Sequence, residues 1–258
     1  SDPFARGVRL WMRRHAYAAS DWKDLVRGLE ASSGRSLRAW ARAWILSTGV
    51  PRLRASLRTG RGGVRVLQVE QGIEARPTNR PLRIRVDTAG RNGRIESSRT
   101  VSLDRARTAI RFEAAQAGAD HVVLNADDSA YVILTGDARW VEAAGEALAR
   151  MRSPLHRIQT WESLWQAVRD RVLDPARFAM LAIARLGAER NALVVSAVLA
   201  RLESVERLLE GERSRALGGS LVTAMAGSHQ LWVLGRDGRV APLAGDGAEA
   251  RLDGAPEG

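Results

Sequence analysis

Cysteine is absent from the 258 residues. That excludes a disulfide framework and any thiolate metal site, and it fits a cytoplasmic protein best. Lysine is almost absent as well. Lys23 is the only one, so the rest of the 40 basic residues are arginine. No apolar run approaches the roughly 20 residues needed to cross a bilayer, and no membrane partner is expected. The opening stretch SDPFARGVRLWMRRHAYAAS has neither a long apolar core nor a small-residue cleavage site, so it does not read as a signal peptide. Basic runs are missing too: Arg13-Arg14 is a pair, and nowhere do five basic residues stand together. The formal net charge of +11 would suit a nucleic-acid binder. Its arginines are dispersed, however, in a chain rich in Ala, Gly, Val and Leu, the bias that GC-rich codons produce. A solvated arginine surface, with no nucleic-acid partner, is the expectation.

What is present is enough for a folded protein. A hydrophobic fraction of 45% argues against disorder, and the length admits one large domain or two to three small ones. From Ala5 to Thr48 the pattern is helical. Val8, Leu10, Trp11 and Met12 begin an apolar stretch that continues to Tyr17. Ser20 or Asp21 can cap a second helix, whose Trp22, Leu25, Val26 and Leu29 form one stripe. Gly34 is placed to end that helix in a left-handed conformation. Ser36 can cap a third helix carrying Leu37, Trp40, Trp44 and Ile45, which Gly49 and Pro51 stop.

From Arg52 to about Thr135 the period changes. RLRASLRT, VRVLQVEQ, LRIRVDTA, RIESSRTVSL, TAIRFEAA and HVVLNADDSAYVIL read as short strands. Turn signals lie at residues 59–63, at Arg76-Pro77-Thr78-Asn79 and at Ala89-Gly90-Arg91-Asn92-Gly93. This spacing suggests a small β-sandwich with one face of each sheet wet, and Arg54, Arg65, Arg83 and Arg85 fall on the wet phase. In the last segment, strands at Val122-Val123-Leu124 and at Tyr131 to Leu134 flank a turn from Asn125 to Ser129. From Asp137 the period is helical again. Asp137, Pro154, Asp174-Pro175 and Asn191 each open a helix, and successive helices of this length suggest an α-helical array. The fold class read from the sequence is therefore mixed α+β and multidomain. Residues 1–50 form a short helical segment, 51–136 an antiparallel β-sandwich, 137–226 the start of a helical domain, and 227–258 an atypical tail. The tail holds a possible hairpin, LWVLGRDGRV, and its composition predicts poor order. A change of reading frame near Ser220 to Gly227 would leave such a break.

Candidates for chemistry are few. Neither an H-E-x-x-H helix nor a P-loop occurs, and no serine sits in G-x-S-x-G. His15 lies beside two arginines, His121 begins a strand, His156 opens a helix, and His229 is isolated. A zinc site needs three or four converging ligands, so each reads as a surface or packing histidine. Glu203 and Glu206 share a helical face, but Arg201 and Arg207 flank them, which favours ion pairing. Trp22, Trp40, Trp44, Trp140, Trp161 and Trp165 lie on helical stripes, where core packing explains them better than a ligand-binding aromatic box. Asp127-Asp128 has the form of an acid/base pair. Without a partner it reads as turn chemistry, since Asp and Asn side chains bond nearby backbone. No catalytic, cofactor-binding or metal-binding residue is assigned.

One resemblance adds to this reading. GVRLWMRRHAYAASDWKDLVRGLEASSGRSLRAWARAWILSTGVPRL resembles the end of the catalytic domain in zinc aminopeptidases related to aminopeptidase N. The matching elements are Tyr17, Ser20-Asp21, Asp24-Leu25, Leu29-Glu30, Ser33-Gly34, Leu37, Trp40, Trp44, Gly49 and Pro51. VVLNADDSAYVIL is similar to a V-L-L-N-x-D-D-x-x-Y stretch of bacterial members, and the helices that follow resemble the start of their C-terminal helical domain. The resemblance covers roughly residues 5 to 226. It implies that the G-x-M-E-N substrate loop, the zinc helix, the third zinc ligand and the transition-state tyrosine lie upstream. Neither Tyr17 nor Tyr131 matches that tyrosine.

The resemblance thus implies a C-terminal portion of an enzyme that uses a zinc-activated water to hydrolyse the N-terminal peptide bond of peptides. Zinc would belong to the parent and not to this chain, which would be inactive alone. The remainder of the catalytic domain would pack on residues 5–50. An alternative is a non-catalytic adaptor with the same architecture, which requires a parent lacking the zinc helix. A nucleic-acid binder would require affinity that falls steeply with salt.

Overall fold

The computed structural model describes residues 2–59, 65–73, 76–77, 80–90, 92–112, 121–209, 232–234 and 240–242. Helix α1, Pro3–Arg14, starts where the Asp2 carboxylate accepts the Phe4 N–H and proline occupies the first turn. It ends three residues short of Tyr17, which stands fully exposed at φ +61. The apolar stretch read as continuing to Tyr17 therefore does not, because the chain turns through a left-handed residue. Helix α2, Trp22–Ser33, is opened by Asp21 rather than Ser20. Asp21 accepts the N–H groups of Lys23 and Asp24, and the Asp24 carboxylate accepts the Asp21 N–H in return, a capping box. That backbone bond, first among its causes, holds the Asp24 carboxyl down at about 2. Ser20 instead accepts the indole N–H of Trp11 at 2.6 Å. Gly34 closes α2 at φ +66, as its position predicts.

The pairing of α1 and α2 depends on two glycines. A Cβ on Gly28 would lie 2.9 Å from the Gly7 carbonyl, and one on Gly7 would lie 2.9 Å from the Leu29 Cα. Helix α3, Arg38–Trp44, is capped by neither Ser36 nor any other side chain. Glu30 takes the Leu37 N–H instead, at 2.7 Å. Trp44 packs under the Arg80 guanidinium, 5.1 Å from its ring centre, and that guanidinium also donates to the Thr48 and Gly49 carbonyls. Trp40 is 41% exposed, which corrects its placement in a core stripe.

Two sheets follow. One contains β1 (Arg52–Thr59), β2 (Arg65–Ile73), β3 (Arg76–Pro77), β6 (Arg107–Phe112) and β8 (Ile133–Gly136); the other contains β4 (Leu82–Ala89), β5 (Ile95–Leu103) and β7 (His121–Leu124). The first runs β3-β2-β1-β8 with β6 also on β2, and the second runs β5-β4-β7. Three features depart from the sequence reading. Arg76-Pro77 pairs with Gly72-Ile73 as a short strand rather than opening a turn. β8 starts at Ile133, leaving Tyr131 and Val132 outside it. It also pairs parallel to β1, Arg52 to Ile133 through Ala55 to Gly136, so the sandwich is not wholly antiparallel. Consequently the Asn125–Ser129 turn carries the chain from one sheet to the other and does not close a hairpin. The turn signal at residues 60–63 lies outside the described residues.

On β4, Leu82, Ile84 and Val86 point inward while Arg83 and Arg85 face out, the period-2 alternation of a half-buried strand. Helices α4 (Ala138–Ala147), α5 (Pro154–Arg169), α6 (Pro175–Leu186) and α7 (Ala192–Glu206) complete the order, so the fold is mixed α+β: helices, strands, then helices. Asp137, Ser153, Asp174 and Asn191 cap them through side-chain oxygens. One apolar core runs without a break from Leu53, Leu67, Ile84 and Leu124 in the strands to Trp140, Trp161, Phe178 and Val198 in the helices. Trp161 and Trp165 meet Phe178 edge-on at 5.5 and 6.1 Å. The hairpin expected in the tail is present as β9 (Trp232–Leu234) and β10 (Val240–Pro242); the rest of 227–258 lies outside the described residues. No described helix is long and apolar enough to cross a membrane.

Candidate functional site

The densest polar cluster lies where the second sheet meets α5. Asp87 falls on the outward phase of β4, with Arg83 and Arg85. It is nevertheless only 1% exposed, because the first turn of α5 covers that end of the strand. Arg85 donates to its two oxygens at 2.9 and 3.3 Å, Ser98 of β5 donates its hydroxyl hydrogen, and His156 Nε2 stands 3.4 Å away. The pair with Asp87 raises the Arg85 pKa further. Burial lowers that of His156, opposed by the Asp87 charge and by a hydrogen bond with the Ala126 backbone. Beside it His121 is enclosed against Trp140, ring centres 5.9 Å apart, and burial pushes its pKa down to about 4.

This arrangement ties β4, β5 and α5 together. Ser98 donates its hydrogen to Asp87 and accepts from Arg85 Nε at 2.7 Å, so its hydroxyl bridges the two charged groups. The described cavities, of about 700, 410, 280 and 270 Å³, are lined by other residues. A buried carboxylate with several charge-assisted partners is a structural clamp. Asp87 left a faint signal in the sequence, a lone carboxylate two residues from Arg85 on an arginine-bearing face. His156, far along the chain, left none.

The sequence-selected carboxylates lie next to this clamp, and the structure separates them. Asn125 and Asp128 adopt φ +51 and +53, a conformation Asn and Asp tolerate better than most. The Asn125 side chain bonds both the N–H and the carbonyl of Ala130 at 3.0 Å. Asp127 accepts the Ser129 hydroxyl at 2.9 Å, whereas Asp128 faces the Gln159 amide at 3.3 Å. Gln159 also donates to the Asn125 carbonyl. The two aspartates are thus turn residues with separate partners, one of them reaching α5. His15 lies 3.8 Å from Asp24, and His229 falls outside the described residues. Glu203 pairs with Arg207, as expected, but Arg201 reaches across to Glu162 on α5. Among the described residues no three His, Asp or Glu converge as metal ligands.

Similarity to known proteins agrees with this architecture. Residues 121–233 match the family model of the ERAP1-like C-terminal domain. Aminopeptidase N of Streptomyces lividans is 29% identical over 213 residues, covering 76% of this chain and 24% of the relative. The crystal structure of Legionella pneumophila aminopeptidase A in complex with aspartic acid superposes with a TM-score of 0.61 at 16% identity. It covers 97% of this chain and 30% of that one, a likeness of fold. The chain spans about a quarter to a third of the length of these relatives. In sequence and in the order of its helices and strands, it is similar to the carboxyl-terminal part of an aminopeptidase N-like enzyme.

Proposed function

We propose that this chain is the carboxyl-terminal supporting part of a zinc aminopeptidase that removes N-terminal residues from peptides. The observation that carries the reading is the match to aminopeptidase N over 76% of the chain but only 24% of the relative. Within the parent, the chain's own contribution is mechanical. The Asp87 clamp fixes the second sheet to α5. Arg52 of β1 and Thr135 of β8 both reach Asp170 at the end of α5, fixing the first sheet to the same helix. Helix α5 is thereby held at both ends, and the helical array keeps its position against the sandwich. When bound, the parent's zinc would supply a Lewis acid and an activated water. A cytoplasmic location is part of the proposal and follows only from the cysteine-free composition.

The test is hydrolysis of aminoacyl-nitroanilides with added zinc, by this chain and by the longer polypeptide that carries it. Turnover is expected from the longer protein alone. Turnover by the 258-residue chain would overturn the placement of the chemistry. An inactive but folded longer protein would overturn the family activity and favour a binding module.

A further inference from the structure

A cavity of about 280 Å³ lies between the Asn125–Ser129 turn, β8 and α5. Val132, Leu134 and Ile158 give it an apolar wall, and Asp128, Gln159 and Glu162 give it a polar one. Its charge sets it apart. None of its described lining residues is basic, although the chain carries a net charge of +11. Each of the other described cavities is lined by two or more arginines.

Two acceptors in this cavity are left open. Among the described residues the Asp128 carboxylate meets only neutral side-chain donors, the amides of Asn125 at 3.4 Å and Gln159 at 3.3 Å. Glu162 differs, because Arg201 spans both its oxygens at 3.0 and 2.9 Å. Asp128 is therefore the uncompensated charge. Gln159 is 7% exposed, and its Oε1 is buried with no hydrogen-bond partner. Its amide nitrogen gives one hydrogen to the Asn125 carbonyl and one to Asp128. Turning the amide over would set its oxygen against a carbonyl and a carboxylate, so the unpartnered atom is the oxygen. A buried acceptor without a donor is a cost that a donating ligand removes. A free carboxylate and a free amide oxygen beside an apolar wall suit a ligand that joins positive charge, several N–H donors and hydrocarbon. An ammonium group has three donors and no acceptor. An inorganic cation is served less well: calcium takes about six or more oxygens, and no three His, Asp or Glu converge among the described residues. The volume sits at the small end of ligand pockets, which limits the apolar body to a compact one.

We propose that the cavity between the Asn125–Ser129 turn, β8 and α5 binds an organic ammonium ion on a compact apolar body, its N–H groups donating to Asp128 and to Gln159 Oε1. The cavity lies wholly within this chain, so inactivity of the longer enzyme toward nitroanilides leaves the site standing. The test titrates the isotope-labelled chain with hexylammonium chloride near pH 7, where alkylamines stay protonated, and follows backbone amides by NMR. Shifts are expected to centre on Ile133, Leu134, Gln159 and Glu162. 1-Hexanol keeps the hydrocarbon and one donor without the charge, and should bind at least about tenfold more weakly. Asn tolerates the φ of +53 at position 128 as Asp does, so Asp128→Asn removes the charge at little cost to the turn. Hexylammonium should bind that variant at least about tenfold more weakly, with hexanol nearly unaffected. Leucinamide carries its ammonium on a branched residue, as the amino terminus of a peptide does. Tighter binding of leucinamide than of hexylammonium assigns the site to amino termini, weaker binding to free amines, and both support the ammonium chemistry. Hexanol binding as tightly as hexylammonium, an Asp128→Asn variant with unchanged affinity, or calcium chloride moving the same amides at lower concentration would each overturn the assignment. The comparison of hexylammonium with hexanol needs no substitution, so a misfolded variant would not shield it.

Discussion

His121 is enclosed on β7 with its imidazole tilted against the Trp140 indole. Burial, then the charges of His156 and Arg150, lower its pKa from 6.5 to about 4. The folded state therefore binds this proton less readily than the unfolded chain. Such a group's stabilising contribution is present above its unfolded pKa and is lost as pH falls from there through the folded value. His156 shifts in the same direction, with burial outweighing the attraction of Asp87. Urea denaturation at pH 7 and pH 5 should show a loss of about 2 kcal/mol from His121 alone. His121→Phe keeps a ring against Trp140 and removes the titration, so its loss over the same interval should be smaller by about that amount. An unchanged pH slope in the variant would place the acid sensitivity elsewhere.

Turns and caps show what the sequence could and could not disclose about elements. Gly34 and Gly93 both have positive φ, +66 and +72, yet they differ in surroundings. A Cβ on Gly34 meets nothing within 4 Å, whereas one on Gly93 would sit 1.6 Å from the Arg150 carbonyl. Gly34→Ala should cost about 1 kcal/mol for the left-handed backbone alone. Gly93→Ala should cost more than about twice that, because the β4–β5 turn must move away from the end of α4. Thermal or urea unfolding of the two variants checks the order, and equal losses would refute the packing account. The sequence marked Gly34 as a helix terminator and Gly93 as part of a turn, but it could not show their different surroundings, since Arg150 approaches Gly93 only in the tertiary fold. The same limit governs the rest. Asp21, Asp137, Asp174 and Asn191 were legible as caps because a cap is satisfied within three residues. Strand β4 was legible because alternation is local. The parallel β1–β8 pairing, the two-residue β3 and the Asp87–His156 contact join segments distant in sequence, and no local period encodes them. Asp127 and Asp128 were correctly placed in a turn, while the turn's role in changing sheets was not visible.

At the scale of the molecule, burial is uneven along the chain. Among the described hydrophobic residues before Pro51, only Val26, Leu29 and Ala41 are buried, while Met12, Trp40, Ile45 and Leu46 are exposed. Two 12-residue helices are too short to be stable by backbone propensity alone. They are held by the Gly7–Gly28 contact and by side chains that pack on each other. Strands β1 and β4, by contrast, bury Leu53, Ala55, Ile84 and Val86 at 0% exposure within one continuous core. Local opening follows such differences in buried apolar contact. In the isolated chain, hydrogen exchange of α1 and α2 should therefore run at least about 100-fold faster than that of β1 and β4. Equal protection of helices and strands in the isolated chain would mean that the helical hairpin is stable without a covering partner.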